Sequence, residues 1–295
     1  MSESHSSPDS SPSKNKITTR TFQAKKQAGN RITMLTAYDY PMARAVDRAG
    51  IDSILVGDSL GMVVLGYSNT LPVTMEDMLH HCRAVARGAE RALLIGDMPF
   101  MSYQAAPEEA VRNAGRFLQE AGMDAVKLEG GSERIEAVRA IISAGIPVLG
   151  HLGLTPQSVH QLGGFRAQGK TADQAVELYR DARLLEKAGC FGLVLESVPD
   201  RVAEFISSQL SIPTIGIGAG GGCDGQVLVT HDLLGYFDRF VPKFVQQYAS
   251  LHREIQSALV EYKGQVESGE FPTQKHSFSI SSPEYEAFLN QVNEG

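Results

Sequence analysis

Four acids stand where apolar runs give way to loops: Asp58 in "ILVGDSLG", Asp97 in "LLIGDMPF", Glu129 in "AVKLEGG" and Glu196 in "LVLESVP". Each follows a short stretch with the apolar, β-branched character of a buried strand. Lys127 lies two residues before Glu129, so on a strand the two side chains share a face. An ammonium within an apolar strand needs a partner or a task. His151 ends a further run, "IPVLGH". Three or four carboxylates in one cleft repel one another and raise each other's pKa unless a cation neutralises them. A hard cation takes oxygen ligands, and magnesium binds one or two carboxylates directly while keeping other positions for water and substrate. With a single histidine and no cysteine in the set, zinc and copper fit less well. Taken singly, each residue has a structural alternative: Asp58 and Asp97 as turn caps, Glu129 as a solvated loop residue ahead of Gly130 and Gly131, His151 as a satisfied core histidine. Convergence on one cleft is what would make them a site.

Convergence depends on the elements that carry them. Eight short apolar runs recur along the chain: "RITMLTAYD", "DSILVGD", "RALLIGD", "DAVKLE", "IPVLGH", "FGLVLE", "IPTIGIG" and "QVLVTHD". Such near-continuous runs suit parallel strands covered on both faces. Helical periodicity fills most of the intervals, in "PMARAVDRAG", "TMEDMLHHCRAVARGAE", "APEEAVRNAGRFLQEAG", "SERIEAVRAIISAG", "TADQAVELYRDARLLEKAG" and "VPDRVAEFISSQL". Several end in Ala-Gly, a normal helix stop, and "TMEDM" and "SERIE" open like capped helices. Eight alternations predict an α/β fold, a single (β/α)8 TIM barrel, although the loop after the second run is long and the helix before the eighth is weak. In a parallel barrel the active site forms from the loops at the C-terminal ends of the strands, so all four acids, Lys127 and His151 would meet at one mouth.

The flanks differ in character. Residues 1–17 are predicted as a disordered N-terminal tail, because "MSESHSSPDSSPSK" is Ser/Pro-rich and has no apolar segment. The barrel is predicted over residues 18–263 and a polar C-terminal arm over 264–295, with a short amphipathic helix after Pro283. A net charge of -7 argues against nucleic-acid binding. No run nears the roughly 18 apolar residues of a membrane span. Three cysteines without C-x-x-C spacing speak against a disulfide framework, and the reading is a reduced, cytoplasmic protein. "GIGAGGGCDGQ" holds no Lys or Arg and follows no nucleotide fingerprint, so close backbone approach or a tight strand-to-strand link is preferred to a phosphate cradle. "HHC", His80 to Cys82, falls mid-helix and reads as structural.

In order along the chain, "TAYDYPMARAVDRAGIDSILVGDSLGMVVLGYSNTLPVTMEDMLHH", "GDMPFMSY", "AVKLEGG", "PVLGHLGLTPQS", "LVLESVP", "TIGIGAG" and "DGQVLV" followed by "HD" resemble the ketopantoate hydroxymethyltransferases over roughly residues 18–278. The resemblance implies transfer of a one-carbon unit from 5,10-methylenetetrahydrofolate to 3-methyl-2-oxobutanoate, through an enolate stabilised by Mg2+, to give 2-dehydropantoate for pantothenate and coenzyme A synthesis. It implies Asp58, Asp97 and Glu129 as metal-site acids, with Asp58, Ser59, Asp97, Lys127 and His151 on the substrate side. Glu196 resembles the general base. Partners would be the small 2-oxo acid and the folate, with a homo-oligomer, a decamer, as the assembly. Two rivals stand beside it. One is a magnesium-dependent aldolase or lyase of the phosphoenolpyruvate mutase and isocitrate lyase type, though no cysteine-bearing K-x-C-G-H segment occurs. The other is an inactive barrel serving as a scaffold, which would lack one of the four acids.

Overall fold

The eight runs become eight strands, β1 (Ile32–Thr36), β2 (Ser53–Val56), β3 (Leu93–Asp97), β4 (Ala125–Glu129), β5 (Val148–Gly153), β6 (Gly192–Glu196), β7 (Thr214–Ile217) and β8 (Gly225–Leu228). All neighbours pair in parallel and β8 returns to β1, closing the barrel that the alternation predicts. The structure is a computed structural model that describes residues 15–162, 164 and 167–294; most of the expected N-terminal tail lies outside the described residues.

Helices α1 (Thr19–Gln27), α2 (Tyr40–Arg48), α3 (Met75–Gly88), α4 (Pro107–Gln119), α5 (Ile135–Ser143), α6 (Ala172–Ala188) and α7 (Asp200–Gln209) precede or interleave with the strands. Helices α2 to α7 follow β1 to β6 in turn. Each buries residues at helical spacing, such as Met78, Leu79, Cys82 and Val85 on α3 and Ala110, Ala114 and Phe117 on α4, against the outside of the sheet. Cys82 is thereby core, and His81 Nδ1 lies 2.6 Å from the Tyr38 carbonyl oxygen, the structural role expected of "HHC". "TMEDM" opens α3 with a capping box between Thr74 and Asp77. "SERIE" does not open a capped helix. Ser132–Arg134 form a 3-10 turn and α5 begins at Ile135, because the Ser132 N–H is already taken by Asp181, which crowds Gly131 so closely that a Cβ there would lie 2.1 Å from its carboxylate.

Between β7 and β8 there is no helix. The glycine run makes a direct strand-to-strand link, turning at Gly218 and Gly220 with φ of 63° and 75°. Beyond β8, a helical turn at Thr230–Leu233 leads to α8 (Leu251–Ser268) and α9 (Ser282–Asn293), neither of which buries a residue. Helix α8 runs unbroken across the expected boundary after residue 263. Among the described residues no helix follows β8 to cover its outer face, and Gln226 on β8 and Thr33 on the adjoining β1 are exposed, whereas β2, β3 and β4 are buried on both faces.

Helix α1 lies outside the βα repeat and closes the opposite end. Its Phe22 is fully buried against the barrel interior, 6.1 Å from the Phe191 ring. Three aspartates at strand starts hold this end together. Asp52 before β2 accepts from the Thr33 N–H, Asp124 before β4 from Leu94 and Asp224 before β8 from Thr214. Each is also paired with a lysine of the N-terminal segment, Lys25, Lys16 and Lys26 respectively, at 2.6 to 2.7 Å. Lys16 and Ile17, expected within the tail, are therefore docked, with the Ile17 N–H on the Arg91 carbonyl at 2.7 Å. No described helix is long and apolar enough to cross a membrane.

Candidate active site

Along each strand the period of two carries the inward face from apolar residues near its start to polar ones at its end. Leu93 and Ile95 are followed by Asp97, Ala125 by Lys127 and Glu129, Leu149 by His151, and Val194 by Glu196. Strand register then sets the neighbours, Asp97 opposite Lys127 and Glu129 opposite His151. Asp58 arrives differently, one residue past Gly57 at the end of β2, where its N–H donates to Asp97 Oδ2 at 3.1 Å. All four acids, with Lys127 and His151, thus gather at one rim.

Lys127 is the hub. Its Nζ lies 2.6 Å from Asp97 Oδ1, 3.9 Å from Glu129 Oε1 and 3.4 Å from His151 Nδ1. His151 bridges two acids, Nδ1 lying 3.5 Å from Glu129 Oε1 and Nε2 3.3 Å from Glu196 Oε2. Asp58, Asp97, Glu129, Lys127 and His151 are all buried, whereas the Glu196 side chain keeps 17% of its surface open. Ser59 Oγ sits 2.9 Å from the Tyr38 hydroxyl at the edge of this group.

Burial, joined by the charges of Asp97 and Glu129, pushes the Asp58 carboxyl well above the usual carboxylate range. Burial also raises Asp97, against the pull of Lys127. Burial opposes the charge on Lys127, but Asp97, Glu129 and Asp58 outweigh it and hold the ammonium above its ordinary value. At Glu129 burial is likewise outweighed, by His151, Lys127 and the Gln157 N–H, so its carboxyl lies below the usual range. Burial and Lys127 push His151 down, yet the neighbouring carboxylates of Glu129 and Glu196 raise it to about 9. The backbone is strained here too. Ser197, directly after Glu196, has φ of 51° and Met101, in the loop after β3, has 66°. A left-handed L-residue costs about 1–2 kcal/mol. The Ser197 N–H bond to the Ile217 carbonyl, at 2.8 Å, helps hold that turn.

Two buried residues at the rim escaped the sequence reading. Gln157, in the loop after β5, donates from Nε2 to Asp58 Oδ2 at 3.0 Å and to the Met98 carbonyl at 2.9 Å, and its N–H donates to Glu129 Oε2 at 3.0 Å. Tyr103 donates its hydroxyl to Gln157 Oε1 at 2.7 Å. Neither ends a strand, and neutral side chains give no charge signal; the hints were the motifs that contain them, "GDMPFMSY" for Tyr103 and "GHLGLTPQS" for Gln157.

Among the described residues no three His, Cys, Asp or Glu side chains form a ready-made cation cage. Both Glu129 oxygens are engaged, one by His151 and Lys127 and the other by the Gln157 N–H. Asp97 is engaged as well, Oδ1 by Lys127 and Oδ2 by the Asp58 N–H. What sets Asp58 and Asp97 apart is that they adjoin and that burial raises both carboxyls, whereas Glu129 is lowered. Two hard oxygen donors, with room left to substrate and water, fit magnesium.

The family model described as ketopantoate hydroxymethyltransferase matches residues 16–274. The chain is 60% identical over 263 residues to a 3-methyl-2-oxobutanoate hydroxymethyltransferase of Syntrophus aciditrophicus (strain SB), covering 89% of this chain and 97% of that one. It is 59% identical over 265 residues to the protein of the same description from Acetivibrio thermocellus, covering 90% and 94%. Among solved structures, a phosphonopyruvate hydrolase complex with oxalate and Mg++ superposes with a TM-score of 0.58 at 13% identity, covering 94% and 97% of the two chains. A 2,3-dimethylmalate lyase gives 0.56 at 14% identity, covering 94% and 98%. Identities this low support the fold alone, whereas those near 60% over almost the whole length, with the motifs in order and their acids at one rim, decide the lineage. The chain belongs to the ketopantoate hydroxymethyltransferase family.

Proposed function

We propose that the chain is a 3-methyl-2-oxobutanoate hydroxymethyltransferase: it joins the one-carbon unit of 5,10-methylenetetrahydrofolate to the branched carbon of 3-methyl-2-oxobutanoate, consuming one water and releasing tetrahydrofolate and 2-dehydropantoate. The observation that supports it most is a buried ammonium among carboxylates beside one acid, Glu196, that remains open to the mouth. Glu196 takes the proton from the branched carbon, and the electron pair delocalises onto the keto oxygen; that pair then returns through carbon to bond the one-carbon unit as a carbon–nitrogen bond of the folate's methylene bridge breaks, with water supplying the hydroxyl. Lys127 places positive charge beside that developing oxyanion. His151 stands between the two acids, Nε2 3.3 Å from Glu196 and Nδ1 3.5 Å from Glu129, and orients both. Ser59, beside Asp58, contacts the oxo acid. Asp58 and Asp97 are the residues that would hold magnesium, with Glu129 ordering the groups around it. When bound, the cation supplies positive charge to the carboxylate and keto oxygens of a 2-oxo acid, which makes its branched carbon more acidic.

The test is incubation with 3-methyl-2-oxobutanoate, magnesium and methylenetetrahydrofolate, with and without chelator. Chelator-sensitive, folate-dependent 2-dehydropantoate is the expected product. No product with active folate present would reject the transferase, and cleavage of a larger 2-oxo acid without folate would install the lyase. A homo-oligomer, a decamer, is part of the proposal. It is supported by the large exposed apolar side chains from Tyr236 onward, among them Phe240, Tyr248, Leu259, Tyr262 and Phe288, which a lone chain leaves in water. Sedimentation of the purified protein as a monomer would remove it.

A further inference from the structure

We infer that Gln157 is a positioning residue of the cation site, its side-chain amide fixing the Asp58 carboxylate so that one oxygen is held and the other is left to a divalent ion. The inference rests on the proposed function only in taking Asp58 as a cation ligand.

Three observations carry it. First, the amide has no spare capacity. Its two N–H groups go to Asp58 Oδ2 and the Met98 carbonyl, and Oε1 accepts from the Tyr103 hydroxyl and, at 3.3 Å, from Gln104 Nε2. Second, those partners settle which end is which. The Met98 carbonyl can only accept, so nitrogen must face it, and the same nitrogen then faces Asp58. Asp58 therefore receives a donor that has nowhere else to turn. Third, the residue is 5% exposed and its own N–H holds Glu129 Oε2 at 3.0 Å, so one residue of the β5 loop ties together the ends of β2, β3 and β4. A ligand carboxylate held on one oxygen by a fixed donor keeps its orientation toward a cation, and such partners of ligands help set the geometry of a site. The amide faces Asp58 rather than the open mouth, so its effect on substrate is indirect.

Gln157→Met keeps the length and volume while removing both donors from Asp58 and Met98. Mn2+ binding to the full chain, followed by the EPR signal of free Mn2+ without folate or oxo acid, should weaken about 10–100-fold, the range seen when partners of metal ligands are lost. Circular dichroism would show that the variant is folded. Should it not fold, Tyr103→Phe loosens the same amide from its other end and should weaken Mn2+ binding in the same direction. In an Asp58→Asn background, Gln157→Met should add less than about twofold, because the two act through one contact. A folded Gln157→Met variant with wild-type Mn2+ affinity overturns the inference while leaving the site standing. Wild-type chain that binds no Mn2+ takes away the cation site, and the inference falls with it.

Discussion

Removing the ammonium of Lys127 is the most direct probe of the balance at the barrel mouth. In Lys127→Met the chain keeps an apolar side chain of similar reach while three buried carboxylates, Asp58, Asp97 and Glu129, lose the ammonium they share. At an effective dielectric near 20, the contact of 2.6 Å to Asp97 and that of 3.9 Å to Glu129 correspond to about 6 and about 4 kcal/mol of gross attraction. Burying the ammonium costs several kcal/mol in return, so the net loss expected is about 3–5 kcal/mol, the usual effect of deleting one partner of a buried pair. The pH dependence has a definite sign. Asp58 and Asp97 have folded-state pKa values above their unfolded ones, so their ionisation opposes folding, and the penalty grows as pH rises through the unfolded value near 4 toward the folded value. Without Lys127 those values rise further. The variant's deficit should be full at pH 8 and shrink on lowering the pH to 5.5, and magnesium should recover part of it at pH 8. Urea unfolding followed by circular dichroism at fixed chain concentration measures all three. A deficit below about 1 kcal/mol at pH 8, or one that does not change with pH, would refute the reasoning.

Other perturbations separate the roles at the rim. Glu196→Gln should bind 3-methyl-2-oxobutanoate yet exchange its branched-carbon proton with D2O about 10²–10⁴-fold more slowly, as followed by proton NMR; unchanged exchange removes Glu196 from the base role. Asp58→Asn should weaken magnesium binding on the order of 100-fold, at or above what the loss of a ligand's partner costs, and calorimetry showing unaltered affinity would end its assignment. At Gly96 a Cβ would lie 2.3 Å from Phe117 Cδ1, so Gly96→Ala should destabilise the barrel by about 1–3 kcal/mol through overpacking. Phe117→Leu in the same chain should recover part of that loss, and an unchanged melting temperature in the single variant would show that α4 yields freely.

The strands and the rim were legible because both leave local marks. A run such as "LLIGD" is apolar on both faces and then charged, and once the barrel is inferred, period two and parallel pairing place Asp97 beside Lys127 without further information. Helix starts were legible only where the cap is local. The Thr74 and Asp77 pair closes on itself, whereas the Ser132 N–H is claimed by Asp181, 49 residues away. Gln157 and Tyr103 were missed for a related reason: a neutral amide and a phenol acquire their roles from partners that only the closed barrel delivers. The missing helix between β7 and β8 was foreshadowed by the glycine run, but nothing local shows that α8 leaves the sheet bare, since its residues Ile255, Leu259 and Tyr262 carry the spacing of an ordinary packing helix.

The aspartates that begin β2, β4 and β8 give the four rim acids their proper contrast. Each grips the backbone amide of the preceding strand and a lysine from the N-terminal segment, so any acceptor of that shape would satisfy most of what is asked of it. Asparagine at the foot of a strand should be a tolerable replacement, while at the head it removes the one property required, a full negative charge. The barrel thus sorts identical side chains into masonry and chemistry by altitude alone, and the floor can be rebuilt without disturbing the work done at the summit.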